Sequence, residues 1–228
     1  MKLKLIQKKV ETKDVESFVF EPSKPIKWQA GQFLHYVLDH KNPDDRGIER
    51  WFTISNAPFE DCPRITTRIT DPDGSTFKKA LLSMKSGDFI EGDNPEGDFI
   101  YDKKAQKHIL IAGGIGVTPY RSMLLQLDHD DQPIDAELLY ANRDSDLVFD
   151  AEFSQLENKY PDFHILRFTD DKYIEKADLA KYINEKSILF YISGPKKMVD
   201  IYQAMLAELG IPENQIILDY FPGYGAYN

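Results

Sequence analysis

Cysteine is nearly missing from this chain: Cys62 is the only one in 228 residues. That excludes an intramolecular disulfide, a thiolate zinc site of the finger type and a four-cysteine iron–sulfur cluster within the chain. Basic charge is also short. Lysine and arginine total 28 against 38 aspartates and glutamates, a net charge of −10 with a pI near 5.0. Duplex nucleic acid and anionic membranes call for a basic face, so neither is expected as a partner. Long apolar runs are absent as well. The longest, around Ile109–Val117, falls far short of a bilayer span. Lysines interrupt Met1-Lys2-Leu3-Lys4-Leu5-Ile6 where a signal peptide carries a continuous apolar core. A cytoplasmic protein is expected. The histidines, at 35, 40, 108, 129 and 164, include no pair at metal-binding i, i+4 spacing, and no metal is expected. The G-x-S-x-G signature of serine hydrolases is absent, as are internal repeats.

What is present divides the chain near residue 105. Residues 1–100 carry short runs rich in Val, Ile, Phe, Tyr and Thr: Lys2–Val10, Val15–Phe20, Gln32–Leu38, Trp51–Ser55 and Ile65–Thr70. Turn clusters such as Asn42-Pro43-Asp44-Asp45 and Asp71-Pro72-Asp73-Gly74 separate them, which predicts an antiparallel barrel or sandwich. Ser75–Met84 interrupts with helical spacing of Phe77, Leu81 and Met84. After residue 105, apolar strand-like runs alternate with helix-like segments. The runs are His108–Ala112, Ala136–Tyr140, Phe163–Phe168, Ile188–Ile192 and Gln215–Leu218; the helical segments are Thr118–Leu127, Asp150–Tyr160, Lys176–Asn184 and Pro195–Leu209. This alternation predicts a parallel sheet covered on both faces. The expected organisation is therefore a β-barrel domain over 1–104 and an α/β domain over 105–228, with a ligand in the cleft between them.

Two segments carry chemistry. Gly113-Gly114-Ile115-Gly116-Val117-Thr118-Pro119 takes a strand into a helix through glycines. Such a turn lets backbone approach a pyrophosphate and presents helix-start N–H groups to it; a tight turn with no ligand is the competing reading. Arg50-Trp51-Phe52-Thr53 offers a guanidinium fork, ring faces and a hydroxyl on a barrel strand; an amphipathic strand with a surface arginine is the alternative there.

In that order, Arg50-x-Phe52-Thr53 and the glycine turn resemble motifs of the ferredoxin–NADP⁺ reductase superfamily of flavoenzymes. Further matches extend the resemblance over nearly the whole chain: Gly31-Gln32-Phe33, Gly87-Asp88, Gly97-Asp98-Phe99, Ser193-Gly194-Pro195 with Met198, and Asp219-x-Phe221-x-Gly223-Tyr224. The resemblance implies FAD on the barrel and a nicotinamide nucleotide on the second domain. It places Arg50 on the FAD pyrophosphate, Phe52 and Trp51 beside the isoalloxazine, and Thr53 at flavin N5. Arg68 and Ile69 would line the flavin, and Gly74, Ser75, Thr76 and Phe77, with Lys78 adding charge, would hold the pyrophosphate. Gly113, Gly114, Gly116 and Thr118 would hold the nicotinamide pyrophosphate, with Gly194 and Pro195 near its ribose. Thr53, Ser193 and Asp219 stand at catalytic positions, where the family carries cysteine in place of Ser193 and glutamate in place of Asp219. Phe221, Tyr224 or Tyr227 would cover the flavin.

Thr169-Asp170-Asp171 follows the run Phe163–Phe168, where NADPH-using relatives carry a Ser-Arg pair. Carboxylates repel a 2′-phosphate and accept from a 2′-hydroxyl, which favours NADH. Arg143 could reach the ribose and keeps NADPH possible. The implied activity is a flavoprotein oxidoreductase that takes hydride from nicotinamide and gives electrons to an external acceptor, a small molecule or a redox protein. A reductase using free flavin as substrate and a non-enzymatic flavin-binding subunit are the alternatives. Lys2, Lys4, Lys8 and Lys9 are the candidate basic patch for an acidic partner.

Overall fold

The computed structural model describes residues 1–69, 74–185 and 187–221, without the side chains of Tyr220 and Phe221. The chain divides into two units. The first holds Met1–Ile100 together with Thr118–Gln126; the second holds Tyr101–Val117 and the residues from Leu127 onward.

Six strands build the first unit: β1 (Lys2–Thr12), β2 (Val15–Pro22), β3 (Phe33–Val37), β4 (Glu49–Thr53), β5 (Arg64–Arg68) and β6 (Phe89–Gly92). They lie in the order β4-β3-β6-β1-β2-β5, every neighbour antiparallel. Side chains alternate as a half-buried sheet requires: Leu3 and Leu5 are fully buried between the exposed Lys2 and Lys4. Just past β4, the Ser55 N–H and hydroxyl both donate to the Arg64 carbonyl, at 3.0 and 3.1 Å. That contact joins the two edge strands, so the sheet closes and its edges are not left open. Phe18, Phe20, Leu34, Tyr36, Ile54 and Ile65 fill the interior. One helix, α1 (Thr76–Ser83), closes over it with Phe77 and Leu81. Its start is fixed by Ser75, whose side chain accepts from the Lys78 N–H.

In the second unit five parallel strands lie in the order β11-β10-β7-β8-β9: β7 (Lys107–Gly113), β8 (Ala136–Ala141), β9 (Phe163–Phe168), β10 (Ile188–Pro195) and β11 (Ile216–Phe221). α2 (Thr118–His129), most of which belongs to the first unit, α3 (Asp150–Lys159), α4 (Lys176–Leu179) and α5 (Lys196–Glu208) lie between them in sequence. Ile109, Ile111, Phe190 and Ile192 pack with Val199, Tyr202 and Leu206 of α5. Leu110, Ala112 and Tyr191, of the opposite parity, are buried too, as a sheet covered on both faces requires. The barrel followed by a parallel α/β sheet is the fold class expected from the sequence.

Several boundaries differ. β6 did not register in the sequence, because four residues with two apolar side chains carry little periodicity. The helix expected over Lys176–Asn184 is one turn of α4 followed by a 3₁₀ turn at Ala180–Tyr182. Tyr101–Lys104, expected to close the first domain, falls in the second unit. There Tyr101 stacks on the buried His108 at 3.8 Å, and the Asp102 N–H donates to the Tyr191 hydroxyl at 2.9 Å. His108 Nε2 lies 2.9 Å from the Asp102 carbonyl, which fixes its proton there and leaves Nδ1 to accept from the Tyr101 hydroxyl at 2.7 Å. Burial lowers the His108 pKa and favours this neutral form.

Gly31 is the tightest point of the first unit. It has φ +100°, and a Cβ there would lie 2.0 Å from the Phe99 carbonyl oxygen and 2.5 Å from Met123 Cε. Gly31→Ala is expected to destabilise the protein by roughly 3 kcal/mol, combining backbone strain with overpacking. Thermal melting checks this; an unchanged melting temperature contradicts the packing described.

Candidate functional site

In the first unit, strand alternation puts Arg50 and Phe52 on one face of β4, together with the start of α1. The Arg50 guanidinium lies 5.4 Å from the Phe77 ring centre, and Phe52 packs on Phe77 at 5.8 Å and on Tyr36 at 6.0 Å. Asp44 holds the polar side together. One carboxylate oxygen accepts from the Thr76 N–H at 2.9 Å, at the start of α1; the other accepts from Arg50 at 3.0 Å and from the Arg46 N–H at 3.1 Å. The Thr76 hydroxyl accepts from the Asp44 N–H at 2.9 Å and bonds His40 Nε2 at 2.9 Å. Arg50 spends its remaining contacts on the carbonyls of Arg46, Gly47 and Glu49, at 2.8, 3.2 and 2.5 Å. Burial opposes ionisation of Asp44, but the Thr76 and Arg46 N–H groups and the Arg50 charge outweigh it and hold the carboxyl below its ordinary range. A guanidinium and a helix-start N–H thus converge on one anion. This donor set fits a phosphate group.

Trp51 points to the opposite face from Arg50 and Phe52, 54% exposed, stacked on His35 at 4.6 Å; the period of two along β4 separates it from the Phe52–Phe77 cluster. Arg68 pairs with Asp14, its carbonyl accepts from Lys78 Nζ at 2.9 Å, and the Ile69 N–H donates to the Asp14 carbonyl at 2.7 Å. Those backbone groups are engaged with neighbouring side chain and backbone. Gly74 and Ser75 lead into α1, and Thr53 is buried at the end of β4. Asp44 and His40 went unnoticed in the sequence, because their contact with Thr76 spans 32 and 36 residues and leaves no local signal.

Within the second unit the expected residues gather at the carboxyl ends of β7 and β10. β7 ends at Gly113, and Gly114–Val117 forms a 3₁₀ turn before Thr118 opens α2. A Cβ on Gly116 would lie 2.2 Å from the Ser193 carbonyl oxygen, and one on Gly113 would lie 2.2 Å from Met198 Sδ and 3.2 Å from Pro195. Both glycines therefore bring the turn against β10 and the start of α5. Gly114 has φ +52°. Parallel pairing places Ser193 beside Asp219, and the Ser193 hydroxyl donates to the Asp219 carboxylate at 3.0 Å. The loops after β8 and β9 are neighbours, since the Asn142 N–H donates to the Phe168 carbonyl at 2.9 Å. Arg143, Asp170 and Asp171 lie exposed in those loops. Phe221 ends β11, its side chain undescribed; Tyr224 and Tyr227 lie outside the described residues.

A polar cleft of about 290 Å³ lies elsewhere, at the amino ends of β7 to β9, lined by Lys107, Asp135, Asp162, His164 and Glu185 with Gln106. None of the expected site residues lines it. Among the described residues, no group of His, Cys, Asp and Glu side chains is arranged to hold a metal ion, and no helix is long and apolar enough to cross a membrane.

Residues 110–204 match the family model described as an oxidoreductase NAD-binding domain. Flavohemoprotein A of Dictyostelium discoideum is 28% identical over 236 residues, covering 95% of this chain and 59% of the relative. The glycine betaine monooxygenase reductase subunit of Chromohalobacter salexigens is 29% identical over 167 residues, covering 72% of this chain and 44% of the relative. The chain thus spans well under two thirds of the length of these relatives. Among solved structures, the flavohem-like FAD/NAD-binding domain of a Vibrio cholerae nitric oxide dioxygenase superposes with a TM-score of 0.83 at 24% identity, covering 96% of this chain and 98% of that one. A ferredoxin–NADP⁺ reductase from Neisseria gonorrhoeae with bound FAD and NADP gives 0.78 at 19%, with coverage of 96% and 98%.

Burial pushes the Asp219 carboxyl up to about 6, against the Ser193 hydroxyl bond, which favours the ionised form. A carboxyl raised on folding contributes stability below its ordinary value of 3.8 and loses it as pH rises through about 6. The full loss is about 3 kcal/mol at 1.36 kcal/mol per unit. Asp219→Asn is expected to abolish this loss, and Ser193→Ala to move it to higher pH. Denaturant unfolding across that pH range checks both; parallel stability profiles for parent and Asp219→Asn contradict the assignment.

Proposed function

We propose that this chain is a member of the ferredoxin–NADP⁺ reductase superfamily, an NADH-dependent flavoprotein reductase that passes electrons to an acceptor outside the chain. The observation that supports it best is the convergence of the Arg50 guanidinium and the Thr76 N–H on a single anion, on the barrel face that also carries Phe52.

FAD would be held by Arg50 and by the start of α1 through its pyrophosphate, with the Phe52 ring against the isoalloxazine and the Thr53 hydroxyl at N5. The nicotinamide nucleotide would lie over the glycine turn, with Gly114 and Gly116 admitting its pyrophosphate and Gly194 and Pro195 near its ribose. When bound, the flavin would supply the redox chemistry between the nicotinamide and the acceptor. The protein's part is binding and orientation. Ser193 and Asp219 would provide a polar pair at the nicotinamide end, where the Ser193 hydroxyl keeps the carboxylate oriented. Asp170 and Asp171 after β9 favour a free 2′-hydroxyl over a 2′-phosphate.

Cys62, the one cysteine, has a thiol pushed up by burial and by Glu21 and Asp61, which suits an inert side chain rather than a redox thiolate. Electrons are therefore handed to a small molecule or a separate redox centre. Protein supplied with FAD is expected to show flavin absorption bands that bleach anaerobically with NADH, and more slowly with NADPH at equal concentration. Bands that persist at saturating nicotinamide overturn the reading, and a marked preference for NADPH overturns the assignment of Asp170 and Asp171.

A further inference from the structure

We propose that Asp44 is an internal competitor for the flavin phosphates, setting how tightly the barrel holds its flavin. The proposal rests on the reading of Arg50 and the start of α1 as the flavin pyrophosphate site. The Asp44 carboxylate engages both donors of that site, the Thr76 N–H at 2.9 Å and the Arg50 guanidinium at 3.0 Å. The rest of the Arg50 fork is taken by the carbonyls of Arg46 and Gly47 on the same loop and of Glu49 at the start of β4. The segment from Asp44 to Glu49 is thus wrapped around the arginine, whose side chain is only 14% exposed.

Two effects then weaken flavin binding together. A phosphate reaches Arg50 and Thr76 only by taking over bonds that Asp44 already makes, so part of the gain is cancelled by bonds lost. A carboxylate that stays nearby repels the phosphate charge, with an interaction that grows as water is excluded. Charge-assisted pairing of guanidinium with phosphate is worth most when the guanidinium has no rival acceptor. The consequence is a chain that exchanges its flavin readily and acts on phosphorylated flavins as diffusible reactants as well as resident ones.

Riboflavin, which lacks the phosphate, separates this competition from a general change in the barrel. Flavin binding to the full-length protein is measured by fluorescence quenching for FAD and for riboflavin. Asp44→Asn keeps an oxygen to accept from Thr76 but removes the charge. It is expected to bind FAD at least ten-fold more tightly than the parent, with riboflavin binding unchanged. Asp44→Glu, which keeps the charge, is expected to stay within about three-fold of the parent. FAD affinity unchanged or weakened in Asp44→Asn, with melting temperature preserved, overturns the proposal, as does an equal gain for riboflavin. Should Asp44→Asn fold poorly, Asp44→Ser makes the same comparison. Arg50→Gln tests the underlying site separately. It is expected to weaken FAD binding at least ten-fold, and FAD binding indifferent to Arg50 removes the flavin site itself rather than the role of Asp44 alone.

Discussion

Arg50 reaches from β4 toward the first turn of α1 and meets there the carboxylate of Asp44, which also accepts from the Thr76 N–H. Much of the first unit's site depends on this ion pair. It anchors the loop between β3 and β4, and it places a guanidinium over the Phe77 ring. It also marks a position where negative charge is stabilised by a fixed cation and a helix start together.

In the second unit the expected site residues are brought together by close backbone approach. Gly116 lies so near the Ser193 carbonyl that no side chain fits, and Gly113 is similarly pressed against Met198. The strand ends this brings together carry the Ser193–Asp219 hydrogen bond. Carboxyl ends of parallel strands are where such folds take their ligands. The polar cleft lined by acidic groups and Lys107 lies at the opposite ends of the strands.

Much of this was legible in the sequence, and the exceptions have physical causes. The strands of the second unit stand out because burial on both faces makes them nearly continuous apolar runs. Ser75 announces α1 because a capping hydroxyl follows a turn. β6 hides because it is short and leaves Phe89 exposed. Arg50, Phe52 and the glycines are visible as local motifs, yet the reason for two of the glycines is packing against β10, which no local pattern reveals. Trp51 adjoins Phe52 in sequence, but adjacent residues on a strand face opposite ways, and it stacks on His35 apart from the Phe52–Phe77 cluster. Asp44 reads only as part of an Asn-Pro-Asp-Asp turn, since its partners lie 6 and 32 residues away in sequence.

The central claim is that this chain takes hydride from a nicotinamide onto a flavin. Anaerobic stopped-flow reduction of the FAD-loaded protein, comparing NADH with NADH deuterated at the transferring C4 position, tests it most directly. The account predicts bleaching of the flavin bands, slowed by deuterium as a primary isotope effect. Flavin bands that remain oxidised at saturating NADH would contradict it.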